Sequence, residues 1–267
     1  VHLVGTVGSR NGSVQVEIEN IEGLVGERAE AVSARLDAAL EERSAPEPAD
    51  PLVEWPALDQ LRPDLEEVAS ALRRAVFESR PIRIRHHADG DGMCAAVPVQ
   101  LALERLIADT HEDPEAGRHL VKRLPSKAPY YEMEDATRDL NYALGDRDRH
   151  GQKLPLLLML DNGSTEEDTP AYRTLSHYDI PIIVVDHHHP DAEAVEPFVQ
   201  THVNPYLYGE DYRITTGMLS VELARMLHPS LADELDHVPA IAGLSDRSKA
   251  DTMSEYLALA ADAGYDE

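Results

Sequence analysis

The sequence predicts an α/β fold in which helices flank a parallel sheet. Residues 182–185 are four β-branched side chains with no polar position, which is typical of a strand buried on both faces. Residues 154–160 form a second apolar run, and Ile82 and Ile84 alternate with polar residues as in a third strand. Stretches with apolar residues at helical spacing lie between these strands, which favours parallel strands joined by helices.

The first 20 residues predict a β-hairpin. Apolar and polar residues alternate in two runs on either side of Asn11 and Gly12, a pair typical of a two-residue hairpin turn. Two arrangements fit this pattern: the hairpin ends a small β-domain, or it adds an arm to the main sheet. The first residue, Val1, already lies inside the first run, so we expect the chain to be an excerpt of a longer protein.

A helix and a linker are expected between the hairpin and the main domain. Residues 26–43 carry apolar residues at helical spacing. Residues 44–63 contain five prolines, which predicts an extended linker, and a second amphipathic helix is expected after Pro63. We therefore expect a first region at residues 1–62 and the main domain at residues 63–267.

The first predicted strand of the main domain leads into the sequence HADGDG. His87, Asp89 and Asp91 recur there at every second position, and alternate residues of an extended segment face the same way. The three side chains are therefore expected to converge on one point; a solvated Asp-Gly turn is the alternative. A helix rich in Ala and Leu follows, with a kink expected at Pro98.

Residues 109–153 are polar and mixed, with a helix predicted over residues 132–144. Residues 118–127 form the only locally basic stretch and hold two of the four lysines. We interpret this stretch as a solvated loop, and contact with a phosphate backbone is the alternative.

The other two apolar runs also end in ionisable residues. Asp161 ends the second run, and the third run is followed by Asp186, His187, His188 and His189. Parallel strands end at the same edge of a sheet, where α/β folds bind ligands. These groups are therefore expected to crowd together with those of HADGDG.

Two later segments contribute further candidates. Thr215, Thr216 and Gly217 open a predicted helix whose free N–H groups either bind an anion or are simply capped. Asp246 follows a short apolar helical run and, by itself, would be an ordinary residue at a helix end.

So many carboxylates at one edge repel each other unless cations neutralise them. Carboxylates mixed with imidazoles and lacking thiolate suit Mn²⁺, with Mg²⁺ as second choice. Two such ions about 3.5 to 4 Å apart activate water and stabilise charge on an attacked phosphate. The sequence has no P-loop, no G-x-S-x-G and no cysteine-based zinc spacing, so phosphoester hydrolysis is the chemistry that fits.

The composition is strongly acidic: 50 Asp and Glu stand against 24 Lys and Arg, which gives a net charge of −26. The near loss of lysine favours a salt-accumulating halophile over an ordinary acidic protein. Cys94 is the only cysteine, which excludes a disulfide framework. Neither a signal peptide nor an apolar run long enough for a membrane span is present, so we expect a soluble, cytoplasmic protein without a membrane partner.

The motifs HADGDG, LDNG, VDHHHP and GLSD together resemble the DHH phosphoesterase superfamily, in the family's order and over roughly residues 80 to 250. The resemblance implies a two-manganese centre whose ligands are His87, Asp89, Asp91, Asp161, His187 and Asp246. Asp161 is implied to bridge the two ions. His188 would face the scissile phosphate, Asp186 would orient the histidines, and His189 is expected to contact substrate.

The H-x-D-x-D pattern is similar to RecJ-like nucleases, particularly the archaeal ones. This resemblance implies an exonuclease of DNA repair and replication that removes nucleotides from an end of single-stranded DNA or RNA, with the GINS replication complex as a partner. The second domain of such proteins, DHHA1, is not in the sequence.

Two alternatives stay open. One is a pyrophosphatase or a phosphodiesterase of nano-RNA or cyclic dinucleotides, whose motif has histidine where Arg85 stands here. The other is a catalytically idle scaffold subunit of a replication complex.

Overall fold

The computed structural model describes residues 1–231 and 233–265. Its contacts divide the chain into two compact units, Val1–Arg43 and Ser44–Glu267. The sequence placed this division later, between residues 62 and 63. The proline-rich segment belongs to the second unit because its apolar residues, including Val53, are buried in that unit's core.

The first unit contains the expected hairpin and helix. Strand β1 (His2–Arg10) pairs antiparallel with β2 (Ser13–Glu22), and helix α1 (Glu27–Arg43) follows. Asn11 and Gly12 both have positive φ angles, 53° and 87°, as a two-residue hairpin turn with the right-handed twist of its strands requires. The hairpin forms a sheet of its own and is not an arm of the main sheet.

The second unit is built on a five-stranded sheet, which confirms the predicted α/β class. Its strands are β3 (Ile82–His87), β4 (Val121–Ser126), β5 (Leu156–Leu160), β6 (Ile182–Val185) and β7 (Thr201–Val203). Their order is β4-β3-β5-β6-β7, and every neighbouring pair is parallel. All carboxyl ends therefore meet at one edge.

Helices cover both faces of this sheet. They are α2 (Pro56–Phe77), α3 (Gly90–Thr110), α4 (Ala116–Leu120), α5 (Met133–His150), α6 (Thr169–Ser176), α7 (Ala192–Val195), α8 (Thr216–Leu227), α9 (Val238–Ser245) and α10 (Met253–Asp262). Within the described ranges, none of the helices combines the length and the apolar character that crossing a bilayer requires.

The alternation of side chains along the strands creates two cores. Leu158 and Ile183 point to one face and pack in the core that includes residues of α2, α3 and α8. Leu157 and Ile182 point to the other face and pack with residues of α5 and α6. Because both faces are covered, β5 and β6 have no exposed position, as their apolar sequences predicted.

Strand β3 is also buried on both faces, although apolar and polar residues alternate in its sequence. The arginines on its second face are neutralised by acids of α5: Arg85 forms hydrogen bonds of 2.7 and 2.8 Å with Asp139, and Arg83 lies 3.7 Å from Asp146. Arg83 and Arg85 are therefore buried next to acids, and the loss of one partner of such a pair would be costly.

Two local predictions are wrong. Helix α2 begins at Pro56 and contains Pro63, because Leu58 and Leu61 extend its buried face and Pro56 occupies the first turn, where no N–H partner is lost. Residues 118–127 are not a solvated loop: they contribute the end of α4 and the edge strand β4, with Val121 and Ser126 buried.

Candidate metal centre

The predicted acids and histidines meet at the carboxyl edge of the sheet. His87 is the last residue of β3, Asp161 directly follows β5, and Asp186 begins the segment after β6. Asp246 comes to the same place from the C-terminal end of α9. The loops after three adjacent parallel strands thus supply most of the site, as expected for this fold.

The HADGDG segment reaches the site differently from the prediction. It is not extended through Asp91, because α3 begins at Gly90 with Asp89 as its N-cap, accepting a 2.9 Å hydrogen bond from Gly92 N. Asp91 therefore lies in the first helical turn. A Cβ at Gly92 would lie 2.2 Å from the carbonyl oxygen of His87, so this tight turn depends on glycine.

Three residues form the more exposed half of the site. His87 Nδ1 lies 2.8 Å from Asp89 Oδ2, without hydrogen-bond orientation, and 3.7 Å from Asp161 Oδ2. The Asp161 carboxylate raises the pKa of the His87 imidazole. These three side chains offer ligand atoms within 4.8 Å of one another, a spacing that could hold one metal ion.

The buried half centres on His187. Its Nε2 lies 3.2 Å from Asp246 Oδ2, 3.4 Å from Asp161 Oδ1 and 3.6 Å from Asp91 Oδ2. Burial lowers the pKa of His187, but the Asp161 and Asp246 carboxylates outweigh it and raise that pKa to about 12. The cluster therefore attracts a positive charge to the point that Nε2 faces.

Asp161 stands between the two halves and uses one carboxylate oxygen toward each. Oδ2 faces His87 and Oδ1 faces His187. Its backbone has a φ of 58°, the left-handed region that non-glycine residues rarely adopt and that is often found at functional sites. Burial raises its pKa, but the neighbouring imidazoles of His187 and His87 outweigh that effect and keep it below the usual range.

Buried ligand atoms without partners provide a test of whether a cation fits. Asp161 Oδ2, His187 Nε2 and His87 Nδ1 are all buried and have no hydrogen-bond partner within the described part of the chain. Such atoms are costly unless something else satisfies them. Carboxylate oxygens and imidazole nitrogens without thiolate are the donors that Mn²⁺ and Mg²⁺ take, so the residues present fit divalent cations.

Helix α8 fixes Asp91. The backbone N–H groups of Thr216 and Gly217 each donate a 2.9 Å hydrogen bond to its carboxylate, and Thr216 Oγ1 donates to Asp161 Oδ1 at 3.2 Å. The anion at this helix N-terminus is thus Asp91 itself. Burial, followed by the charge of Asp161, still raises the pKa of Asp91 well above its usual value.

Asp186 positions His187 and His188 through hydrogen bonds. Its Oδ1 accepts hydrogen bonds from the backbone N–H groups of His187 (2.9 Å) and His188 (3.3 Å) and lies 2.7 Å from His188 Nδ1. The Asp186 hydrogen bond raises the pKa of His188 to about 9, so this half-exposed imidazole is held protonated at neutral pH.

His189 is the one predicted site residue that lies apart. Its ring packs against Tyr206 with centroids 5.0 Å apart, and it belongs to none of the metal-compatible groups found among the described residues. The other eight predicted residues come together at this edge.

Sequence reasoning missed three backbone contributions. Two are the N–H groups that bind Asp91, for which capping residues gave only an ambiguous signal. The third is the carbonyl oxygen of Tyr212, which lies 3.0 Å from His187 Nδ1. No side-chain pattern marks a carbonyl group, so only the fold reveals it.

Comparison with known proteins agrees with this architecture. Residues 81–242 match the family model described as "DHH family, N-terminal domain". That match covers more than half of the chain and ends just before Asp246. The chain therefore belongs to the DHH family.

Two relatives share over 40% of their aligned residues with the chain. An uncharacterized protein of Methanocaldococcus jannaschii is 41% identical over 268 residues, which are 98% of this chain and 35% of that protein. The solved DHH domain of a protein described as a member of a family of ribosomal proteins is 42% identical, with a TM-score of 0.86, over 91% of this chain and 57% of that structure. The chain thus spans about a third of the length of the first relative and just over half of the second structure.

A more distant solved structure shares the fold. RecJ of Thermus thermophilus, solved in complex with Mn²⁺, is 19% identical, with a TM-score of 0.51, over 84% of this chain and 30% of that one.

Proposed function

We propose that this chain is the metal-binding part of a two-metal phosphoesterase that hydrolyses single-stranded nucleic acid from an end. The observation that carries the proposal is the position of Asp161, whose two oxygens face two separate sets of ligand atoms. A bridging carboxylate between two cations requires this arrangement. A scaffold protein without catalysis has no need to retain such a costly buried cluster.

The residues divide between two cations as the distances suggest. His87, Asp89 and Asp161 would hold one, while Asp91, Asp161, His187 and Asp246 would hold the other. When bound, the pair supplies an activated water and stabilises charge on the phosphate. Asp186 keeps His188 protonated and oriented, so that its exposed imidazole can donate a hydrogen bond to a phosphate oxygen.

The metal and the substrate are proposed by analogy with solved structures of this fold. RecJ is named an exonuclease in one solved structure with manganese, and we extend both properties to this chain as proposals. The relative from a family of ribosomal proteins is a reason to test RNA beside DNA. Association with the GINS complex stays a prediction that a pull-down with purified GINS would test.

The proposal is tested with the full-length protein on end-labelled single-stranded DNA, single-stranded RNA and pyrophosphate, with Mn²⁺, Mg²⁺ or EDTA and at low and high KCl. We expect progressive shortening of the strands in Mn²⁺ and its absence in EDTA. Asp161→Asn should abolish the activity, while Asp64→Asn, which changes an acid that is bonded to Tyr208 on the surface, should leave it intact.

The competing functions give different results in the same assay. Phosphate release from pyrophosphate without shortening of the strands would indicate a pyrophosphatase. Cleavage restricted to strands of a few nucleotides would indicate a nano-RNA phosphodiesterase. If the protein binds Mn²⁺ but hydrolyses none of the substrates, the result would favour a scaffold subunit without catalysis.

A further inference from the structure

Arg123 lies on the edge strand β4, beside the segments of β3 and α3 that lead to the metal centre. Its half-buried side chain crosses toward the start of α3, where Nη1 lies 3.4 Å from Met93 Sδ. Met93 is two residues beyond Asp91, and Nη1 also lies 3.0 Å from Nε2 of His86, the neighbour of His87. The guanidinium is thus adjacent to both segments that deliver candidate ligands from β3 and α3.

The partners of Arg123 are all neutral. Nε donates to the amide oxygen of Gln100 at 2.8 Å, and Nη1 contacts the imidazole of His86 and the thioether of Met93. Arginine is a donor only, so His86 Nε2 accepts, and its Nδ1–H donates to the carbonyl oxygen of His87 at 2.7 Å. These contacts fix the guanidinium but leave its charge uncompensated.

In this respect Arg123 differs from the buried arginines of the neighbouring strand β3. The chain has 50 acidic residues, and the two buried arginines of the adjacent strand β3 are paired with acids of α5. Within residues 1–231 and 233–265, no carboxylate oxygen lies within the 4.0 Å ion-pair distance of Arg123. In the same ranges, its Nη2 donates to no protein acceptor, which leaves two N–H groups available.

We infer that Arg123 binds a phosphate group of the single-stranded substrate next to the one at the metal centre. A guanidinium held by neutral acceptors, with two free N–H groups in a fixed plane, matches the geometry with which arginine binds phosphate. The acids around it repel a nucleic acid backbone, so one uncompensated cation beside them provides a local point of attraction. This inference rests on the proposed function for its substrate.

Binding in the absence of cleavage tests the inference. The full-length protein is titrated in EDTA against fluorescein-labelled single strands, with and without a terminal phosphate, at several KCl concentrations, by fluorescence anisotropy. We expect Arg123→Gln to weaken binding about tenfold and to reduce the slope of log affinity against log salt by about 0.7, the value for one lost phosphate contact on a single strand.

Lys122→Gln is the matched control. It removes the same charge from the neighbouring residue of β4, whose side chain points to the opposite face, and should leave the salt slope unchanged. Arg123→Lys should retain most of the slope, because a point charge still attracts phosphate. Loss of a preference for the phosphorylated end in Arg123→Gln assigns the contact to a terminal phosphate, and an equal loss on both strands assigns it to an internal one.

The inference is overturned if Arg123→Gln and Lys122→Gln bind alike, or if the wild-type protein binds no strand. A lower melting temperature with an unchanged salt slope would also overturn it, since Arg123 would then only tie β4 to α3. Failure of the proposed function is recognised separately: the wild-type protein would bind strands but cleave none in Mn²⁺.

Discussion

The carbonyl oxygen of Tyr212 lies 3.0 Å from Nδ1 of His187. A carbonyl group only accepts hydrogen bonds, so Nδ1 carries a proton, and Nε2 is the nitrogen available toward the acids. A backbone group behind the ring thereby decides which nitrogen faces the candidate metal centre and holds the ring at a fixed angle.

Metal binding should release protons. Without metal the pKa of His187 is about 12, so Nε2 is protonated at neutral pH, and a metal ligand must be neutral. We expect at least one proton released per protein between pH 6 and 9, and Mn²⁺ affinity that rises about tenfold per pH unit for each proton. Calorimetry of Mn²⁺ binding in buffers of different ionisation enthalpy measures this number; a heat independent of the buffer would contradict it.

The stoichiometry of metal binding should distinguish a shared ligand from an unshared one. Asp89 belongs to one group of ligands, so Asp89→Asn should reduce two bound Mn²⁺ to one. Asp161 faces both groups, so Asp161→Asn should weaken both sites by roughly 100-fold or more. Equilibrium dialysis with metal analysis gives both numbers. Loss of only one ion in Asp161→Asn would exclude the bridging role.

Gly217 is predicted to be essential for packing at the metal centre. A Cβ there would lie 2.5 Å from Ala242 Cβ and 2.8 Å from Asp91 Oδ1. Gly217→Ala should therefore lower the free energy of unfolding by about 1 to 3 kcal/mol and weaken Mn²⁺ binding, because Asp91 must move. Chemical denaturation and metal titration measure these effects.

Gly145→Ala in α5 is the control for this substitution. Among the residues that the structure describes, a Cβ at Gly145 meets no atom within 4 Å. The alanine should therefore stabilise the protein by about 0.5 to 1 kcal/mol through its higher helix propensity. Equal effects of the two substitutions would show that the approach at Gly217 is unimportant.

Asp168 should make stability depend on pH. Burial raises its pKa from 3.8 to about 6, although it accepts hydrogen bonds from Tyr131 N and from the backbone and hydroxyl of Thr165. The folded state therefore keeps a proton that the unfolded state loses above pH 4, and stability falls as pH rises from 4 through 6. Above pH 7 the unfolding free energy is lowered by the full amount, at most about 3 kcal/mol.

The comparison of wild type with Asp168→Asn isolates this effect. The variant cannot titrate, so the difference in unfolding free energy between the two proteins should shift in favour of the variant as pH rises from 4 to 7. Urea denaturation at each pH measures the difference. A difference that stays constant would show that Asp168 titrates normally in the folded state.

The sequence predicted the strands near the site because their composition leaves little choice. The apolar, β-branched run of residues 182–185 predicts a buried strand. An Asn-Gly pair between two runs of alternating apolar and polar residues strongly indicates a hairpin turn. The sequence did not predict β7 and β4, because their local signals are weak. Strand β7 has only three residues, and β4 lies in a basic stretch that has no local pattern indicating its pairing with β3.

The sequence predicted that the acids and histidines after β3, β5 and β6 lie at one edge, since neighbouring parallel strands end at the same edge of a sheet. Asp246 was implied only by the family resemblance, because it follows a helix. How they are arranged did not follow. The helical position of Asp91, the two directions in which Asp161 faces and the unpaired charge of Arg123 depend on contacts between residues far apart in the chain. Chain order determines which groups arrive at the edge, whereas distances and hydrogen-bond partners are decided only when the helices pack against the sheet.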